Sequence, residues 1–337
     1  MLIRRSLAIA LVATLTWLGS AACQSTVPAT KLYLDAVEYV KNANYSEALP
    51  LLRQAVTDSA EFLEAQYNLG VTYDGLGVLD SARIAFEKVL SLDSTYVNAD
   101  LNLGTIDIRT QDYPAAISHL RKVIELDSTL VDSTRVARSY LNLGVALDAT
   151  NDLDGAIGAF KRSIQLRPDN ADAYYRLGAA QFRKAATAKD YPEVIETYKK
   201  ALELGPTHVN ASVAHFFLAR MYAATGQNEL AVASADEAIK MKPDLAQAYF
   251  VKGKALEALG KQDDAVAAYK KAIEKNANYG SAHYALGRIY QKREQWELAL
   301  KEYKAVAKDT STPETPAASK AAKSIEDYLK QTAAQKK

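Results

Sequence analysis

A unit of 34 residues recurs along most of this chain, and its best-formed copy runs from Ala137 to Asn170. In that copy, apolar side chains recur at helical spacing before and after the polar pair Asn151-Asp152. This pair divides the unit into two short helices, and Pro168 closes it. Neither helix could bury its apolar face alone, so the units must stack on one another.

Eight such repeats are predicted between Ala29 and Pro313, interrupted by three short insertions of at most six residues. The insertions lie at 131–136, within 185–190 and at 209–211, and they are predicted to fall between helices, where added loop length costs little. The repeats are predicted to start at Ala29, Leu63, Val97, Ala137, Ala171, Ser212, Ala246 and Gly280.

Two positions of the repeat show why its helices form hairpins. Position 8 is small because a larger side chain there would push the two helices apart. Its residues are Ala36, Gly70, Gly104, Gly144, Gly178, Ala219, Gly253 and Gly287. Position 24 is large in every repeat except the one that carries Ala235 there. Its large residues are Leu52, Phe86, Leu120, Phe160, Tyr198, Tyr269 and Tyr303.

This pattern resembles the tetratricopeptide repeat. The resemblance implies an all-α fold, a right-handed superhelical solenoid of about eight helix hairpins with one concave face. After the last repeat, a helix starting near Pro316 is predicted to place its apolar residues on one face and so to cover the array; residues 314–337 form this capping helix and a basic tail. Its apolar residues are Ala318, Ala321, Ala322, Ile325 and Leu329.

Residues 1–22 have the pattern of a signal peptide: Arg4-Arg5, an apolar run that is too short for a comfortable membrane span, and small residues. The only cysteine, Cys23, follows at once. The sequence SAAC resembles the lipobox of bacterial lipoproteins, although Ser20 stands where an aliphatic residue is usual. Secretory cleavage that leaves a free thiol stays open as the alternative.

The lipobox resemblance implies that Cys23 carries acyl chains and that residues 23–28 link this anchor to the array. It also implies an outer-membrane lipoprotein that faces the periplasm, with a soluble periplasmic or secreted protein as the alternative.

The sequence contains no motif of a known catalytic, phosphate-binding or dinucleotide-binding site. His215 and His283 both occupy position 4, where packing is the simpler interpretation, and neither His119 nor His208 has a partner at ligand spacing. We therefore predict no enzyme, no cofactor and no metal site. The net charge of +1 gives no basic field for nucleic acid.

In the family that the chain resembles, positions 2, 5, 6, 9, 12 and 13 of the first helix line the concave groove. Carried over, position 6 gives an asparagine row, Asn68, Asn102 and Asn142, whose amides can hold a peptide backbone. Positions 5, 6, 9 and 13 make the C-terminal half basic and partly aromatic. These further groove residues are Tyr67, Tyr175, Arg176, Arg183, Phe216, Arg220, Phe250, Lys254, Tyr284 and Arg288.

These residue types are also common on solvated helix faces, so a purely structural role stays open for them. The chaperone-tail clamp of some family members is not expected, because Leu101, Thr105 and Asp172 occupy three of its places.

The leading functional hypothesis is a non-catalytic scaffold that binds extended protein segments as an accessory to an envelope assembly or secretion complex. Between residues 29 and 130 there are 8 basic and 15 acidic side chains, against 31 and 25 between residues 131 and 337, so acidic segments should prefer the C-terminal half. The alternative is a glycan-binding outer-membrane lipoprotein of a sugar-uptake system. In that class the sugar sites lie in a large insertion between repeats that carries exposed aromatic residues. Here the longest insertion has six residues, and Trp296 is predicted to lie at an inter-helix turn.

Overall fold

The computed structural model describes residues 27–127, 132–205, 207–307 and 312–335. These residues form α-helices and one short 3-10 turn at Ala188–Asp190, and no strand is found among them. The chain divides into two compact bodies, an N-terminal body, Met1–Val131, and a C-terminal body, Asp132–Lys337.

In the described part of the N-terminal body, six helices form three consecutive hairpins. Each hairpin packs against the next, as the repeat pattern requires. The helices are α1 (Ala29–Lys41), α2 (Tyr45–Asp58), α3 (Leu63–Gly75), α4 (Leu79–Leu92), α5 (Val97–Arg109) and α6 (Tyr113–Leu126).

In the described part of the C-terminal body, ten helices form five hairpins, and one further helix follows them. These helices are α7 (Ser133–Ala149), α8 (Leu153–Leu166), α9 (Ala171–Lys184), α10 (Tyr191–Glu203), α11 (His208–Ala224), α12 (Asn228–Met241), α13 (Ala246–Ala258), α14 (Gln262–Lys275), α15 (Gly280–Lys292), α16 (Trp296–Ala307) and α17 (Thr315–Gln335).

A helix begins at six of the eight predicted repeat starts, but α7 and α11 begin four residues before theirs. The prediction that all insertions lie between helices is therefore wrong at 133–136 and 209–211, which extend α7 and α11 to 17 residues each. The cause is local capping. The Asp132 carboxylate accepts hydrogen bonds from the backbone N–H groups of Thr134 and Arg135, and the Thr207 hydroxyl accepts one from that of Asn210.

Position 8 and position 24 touch inside each hairpin, which explains why both are restricted. A Cβ added at Gly144 would lie 2.5 Å from the Phe160 ring, and one added at Gly253 would lie 2.6 Å from the Tyr269 ring. In the repeat that carries Ala219 at position 8, position 24 is Ala235, and both are fully buried in one cluster. The methyl group of Ala219, which glycine would lack, is thus accompanied by a small side chain, Ala235, in place of a large one.

The capping helix α17 covers the last hairpin as predicted. Ala318, Ala322 and Ile325 are buried in the same cluster as Tyr303 of α16. Ala321 and Leu329 are partly buried against that cluster. No helix within the described residues combines the length and the hydropathy that crossing a bilayer requires.

Helix α5 buries two carboxylates, which the sequence analysis did not identify. Asp100 and Asp107 are both 0% exposed. Lys122 Nζ and His119 Nδ1 lie 2.8 Å and 3.0 Å from Asp100, and Arg83 Nη2 lies 2.6 Å from Asp107. Because these basic side chains come from α4 and α6, the cluster joins three helices.

We predict that Gly144→Ala lowers the free energy of unfolding by about 1–3 kcal/mol, because the added methyl group overlaps the buried Phe160 ring. Gly158→Ala is the matched control: the same helix pair carries it on an exposed surface with open space around its Cβ, so better helix propensity should raise stability by about 0.5–1 kcal/mol. Urea unfolding followed by circular dichroism measures both. Equal stability of Gly144→Ala and the wild type would contradict the contact.

Candidate functional site

The asparagine row is engaged within the chain where the structure shows its contacts. Asn68 Nδ2 donates to the carbonyl oxygen of Glu64 at 2.8 Å, and Asn102 Nδ2 donates to the Tyr67 hydroxyl at 3.2 Å. Asn142 belongs to the other body. Within the N-terminal body, one asparagine amide is therefore bonded to its own helix and the other to an aromatic residue of the preceding repeat.

The position-5 aromatic residues pack mainly within the frame. Four of them contact the ring at position 24 of their own repeat, with centroid distances of 5.6 to 6.1 Å. These pairs are Tyr67–Phe86, Tyr175–Tyr198, Phe250–Tyr269 and Tyr284–Tyr303. Phe216 differs, because position 24 of its repeat is Ala235. It packs instead against that small-residue cluster and against the Phe217 ring.

Three of the five predicted groove cations already have acidic partners. Arg176 Nε lies 2.7 Å from Asp172, on its own helix, and Arg288 Nη2 lies 3.4 Å from Glu257. Arg183 pairs with the Asp148 carboxylate. In the last two pairs the carboxylate comes from the first helix of the preceding repeat, so the positive charge is offset before any ligand arrives.

Arg220 and Lys254 contact aromatic rings, and no ion pair joins either of them to a carboxylate of the described residues. The Arg220 guanidinium carbon lies 5.0 Å from the Phe182 ring centroid and 5.7 Å from those of Phe216 and Phe217. Lys254 Nζ lies 6.0 Å from the Phe250 centroid. Such contacts orient a cation and leave its charge uncompensated.

Arg220 and Lys254 line a cavity of about 520 Å³ in the C-terminal body, which we call the Arg220 cavity. It joins four predicted groove residues, Phe216 and Arg220 from α11 with Phe250 and Lys254 from α13. The other lining residues are Phe182, Tyr191, Ala223, Ala224, Asn228, Gln247, Val251, Ala258 and Tyr279. Burial raises the pKa of the Tyr279 phenol, and the nearby charge of Arg220 opposes this shift.

Sequence reasoning missed part of this lining, although signals for it were present. Phe182 and Gln247 occupy positions 12 and 2, which belong to the groove set of the resembled family. Tyr279 stands at position 34, just before the next repeat, and its ring contacts Phe250 at 5.1 Å. Tyr96 contacts Tyr67 in the same way, also at 5.1 Å, so this pairing recurs along the chain.

The hydroxyl group of Tyr198 is buried in the core cluster against which Phe182 packs. The equivalent hydroxyls of Tyr269 and Tyr303 donate to the side chains at position 12, Glu257 at 3.0 Å and Gln291 at 2.8 Å. Tyr198 has Phe182 at that position, and its buried hydroxyl has no hydrogen-bond partner among the described residues. Phe182, which forms an aromatic wall of the cavity, thus occupies the position at which a polar side chain would have accepted a hydrogen bond from the buried Tyr198 hydroxyl.

Trp296 contributes to the packing of the last hairpin against the capping helix. Trp296 packs against Tyr328 of the capping helix, with centroids 5.0 Å apart. Within the described ranges, no three His, Cys, Asp or Glu side chains are grouped to hold a metal ion. Cys23 and the signal-peptide prediction lie outside the described residues.

Comparison with known proteins gives matches along most of the chain. Profiles of the tetratricopeptide repeat match residues 33–97 and 141–209, 95–169, 213–245 and 282–315, and a profile described as TPR repeat matches residues 253–293.

Two curated relatives and one solved structure illustrate the similarity. A TPR repeat-containing protein of Methanocaldococcus jannaschii is 25% identical over 48% of this chain, and Hsp70-Hsp90 organizing protein 3 of Arabidopsis thaliana is 33% identical over 29% of it. The matches span only 37% and 18% of those relatives. The structure of PilF from Pseudomonas aeruginosa covers 65% of this chain and 94% of its own, with 15% identity and a TM-score of 0.56, which shows a shared fold.

The two position-4 histidines should titrate on opposite sides of the ordinary histidine pKa of about 6.5. A hydrogen bond to Glu302, 2.6 Å from Nδ1, raises the pKa of His283, whereas burial lowers the pKa of His215. NMR titration of the imidazole protons measures both values. Two pKa values on the same side of 6.5 would contradict this assignment.

The same shifts fix the sign of the stability change. The His283 contribution is fully present below about pH 6.5 and is lost as pH rises through its raised pKa, so His283→Gln should destabilise more at pH 5 than at pH 8.5. His215→Gln is the control with the opposite sign, because a buried neutral histidine costs stability as pH falls.

Proposed function

This chain belongs to the tetratricopeptide repeat family, and we propose that it is a non-catalytic scaffold that binds extended protein segments along the concave groove of its repeats. A relative named as an Hsp70-Hsp90 organizing protein supports a protein-binding role. The sequence supports it as well, since it is built almost wholly of repeats and contains no catalytic motif.

The Arg220 cavity carries this proposal. Of the five cations that the sequence analysis placed in the groove, Arg220 and Lys254 keep their charge uncompensated by the described carboxylates, and both side chains are exposed. They lie on consecutive repeats and line one cavity. A segment with acidic side chains complements this pair, and the attraction should weaken as salt screens it.

We further propose that the protein acts in the bacterial cell envelope as an accessory to an assembly or secretion complex. The sequence SAAC at residues 20–23 supports lipidation of Cys23, and the charged start with its apolar run supports export. The linker at residues 23–28 would hold the array close to the outer membrane, on its periplasmic side.

Charge reversal tests the binding site. The double variant Arg220→Glu/Lys254→Glu should lose acidic segments that the wild-type chain captures from an envelope extract, because the cavity then repels carboxylates. The double variant Lys240→Glu/Lys271→Glu has the same net charge but changes exposed lysines outside the cavity, so it should capture them as the wild type does. Unchanged capture by the first variant would show that the cavity is not the site.

Substitution of the cysteine tests the anchor. In cells fed a radiolabelled fatty acid, the wild-type protein should carry the label and sediment with outer membranes. Cys23→Ser removes the acylated thiol, so this variant should carry no label and should not sediment with them. Equal labelling of Cys23→Ser would exclude Cys23 as the acylated residue, and an unlabelled wild type would favour simple secretion.

A further inference from the structure

We infer that the Arg220 cavity recognises a two-residue determinant: a large apolar side chain directly beside a carboxylate. This inference rests on the proposed protein-binding function and goes beyond it, because general acidity does not require an apolar neighbour. Its basis is the way in which the cavity combines unpaired cations with aromatic walls.

The carboxylate end follows from the position of Arg220. Its guanidinium carbon lies 5.0 Å from the Phe182 ring centroid and 5.7 Å from those of Phe216 and Phe217, within the range of cation–π contact. A guanidinium without a carboxylate partner keeps its fork of N–H donors for a ligand, and that fork can bind both oxygens of a carboxylate. Lys254, one repeat further on, supplies a second cation to the same cavity.

The apolar end follows from the walls and the size of the cavity. Phe216 and Phe250 are half-buried rings of its lining, while Ala223 and Ala258 have small side chains that leave room beside them. A volume of about 520 Å³ is in the range of pockets that hold small ligands. It therefore fits one or two side chains of an extended segment and not a folded helix.

The occupant is a protein segment because amide side chains accompany these walls. Asn228 and Gln247 both line the cavity, and each side chain offers a donor and an acceptor to a peptide backbone. The carboxylate could belong to an Asp or Glu side chain, or to the C-terminal end of the partner chain. Both sources present the same group to Arg220.

Defined peptides on the full mature chain test the inference by fluorescence anisotropy. A peptide with Phe-Asp at its centre and an amidated end should bind about tenfold more tightly than its Phe→Ala and Asp→Asn versions. A peptide that ends in Phe with a free carboxylate, compared with its amide, tests the terminal source. Preference for either acid over its neutral match supports the inference. Equal binding of all acid and neutral pairs, or indifference to Phe→Ala, would overturn it.

The protein variant Phe182→Gln separates binding from folding. It removes an aromatic wall, but it places at position 12 the amide that Gln291 provides in the last repeat, and the buried Tyr198 hydroxyl can then donate to it. We expect the thermal midpoint to be equal or higher, together with about tenfold weaker binding of the Phe-Asp peptide. Arg220→Gln should abolish the preference for Asp over Asn. Wild-type affinity and selectivity in both variants would overturn the inference.

Failure of this inference can be told apart from failure of the proposed function. If capture from the envelope extract depends on Arg220 and Lys254 while no Phe-Asp or Phe-terminal peptide binds, the scaffold proposal stands and the two-residue determinant is wrong. If capture does not depend on these cations either, the site of the proposed function is wrong as well.

Discussion

The rest of the structure depends on the contact between position 8 and position 24 inside each hairpin. Where position 24 carries a buried ring, as at Phe160 or Tyr269, the facing backbone has a glycine whose missing Cβ leaves the space for that ring. The ring on one helix and the glycine on the other therefore set the distance between the two helices of the hairpin. Because the hairpins within each body pack against one another, an error in this spacing would spread along that body.

One repeat has alanine at both positions, and this repeat also carries part of the candidate site. With alanine at both positions, Ala219 and Ala235, the hairpin is filled by two small residues, and no ring lies at position 24. In four other repeats the position-5 ring packs against a ring at position 24, as at Tyr67, Tyr175, Phe250 and Tyr284. Phe216 has no such ring, and it packs beside Arg220 at the cavity wall. The small residue Ala235 is thus connected to the candidate site through the packing of Phe216.

Much of this could be predicted from the sequence, because the repeat register sets both helix starts and groove positions. The repeat register did not predict where α7 and α11 begin, because the capping residues Asp132 and Thr207 start these helices before the predicted repeat starts. It also could not show which groove cations are compensated. Arg183 and Arg288 find acids about one repeat earlier, at Asp148 and Glu257, because first helices of neighbouring repeats lie side by side. Such pairs are visible in the sequence only once the helices are known to stack.

The same stacking explains why Arg220 and Lys254, unlike Arg183 and Arg288, have no carboxylate partner among the described residues. Asp148 and Glu257 both occupy position 12 of the repeat before their cation, whereas that position is Phe182 before Arg220 and Ala223 before Lys254, so neither of these cations has an acid there. The aromatic residues around them orient these cations without neutralising them. The proposed selectivity for acidic segments therefore does not rest on the excess of basic residues in this half of the chain, since most of those charges lie elsewhere or are paired. We attribute it to two cations on consecutive repeats whose neighbours are aromatic rings, one of which, Phe216, has no ring at position 24 of its own repeat.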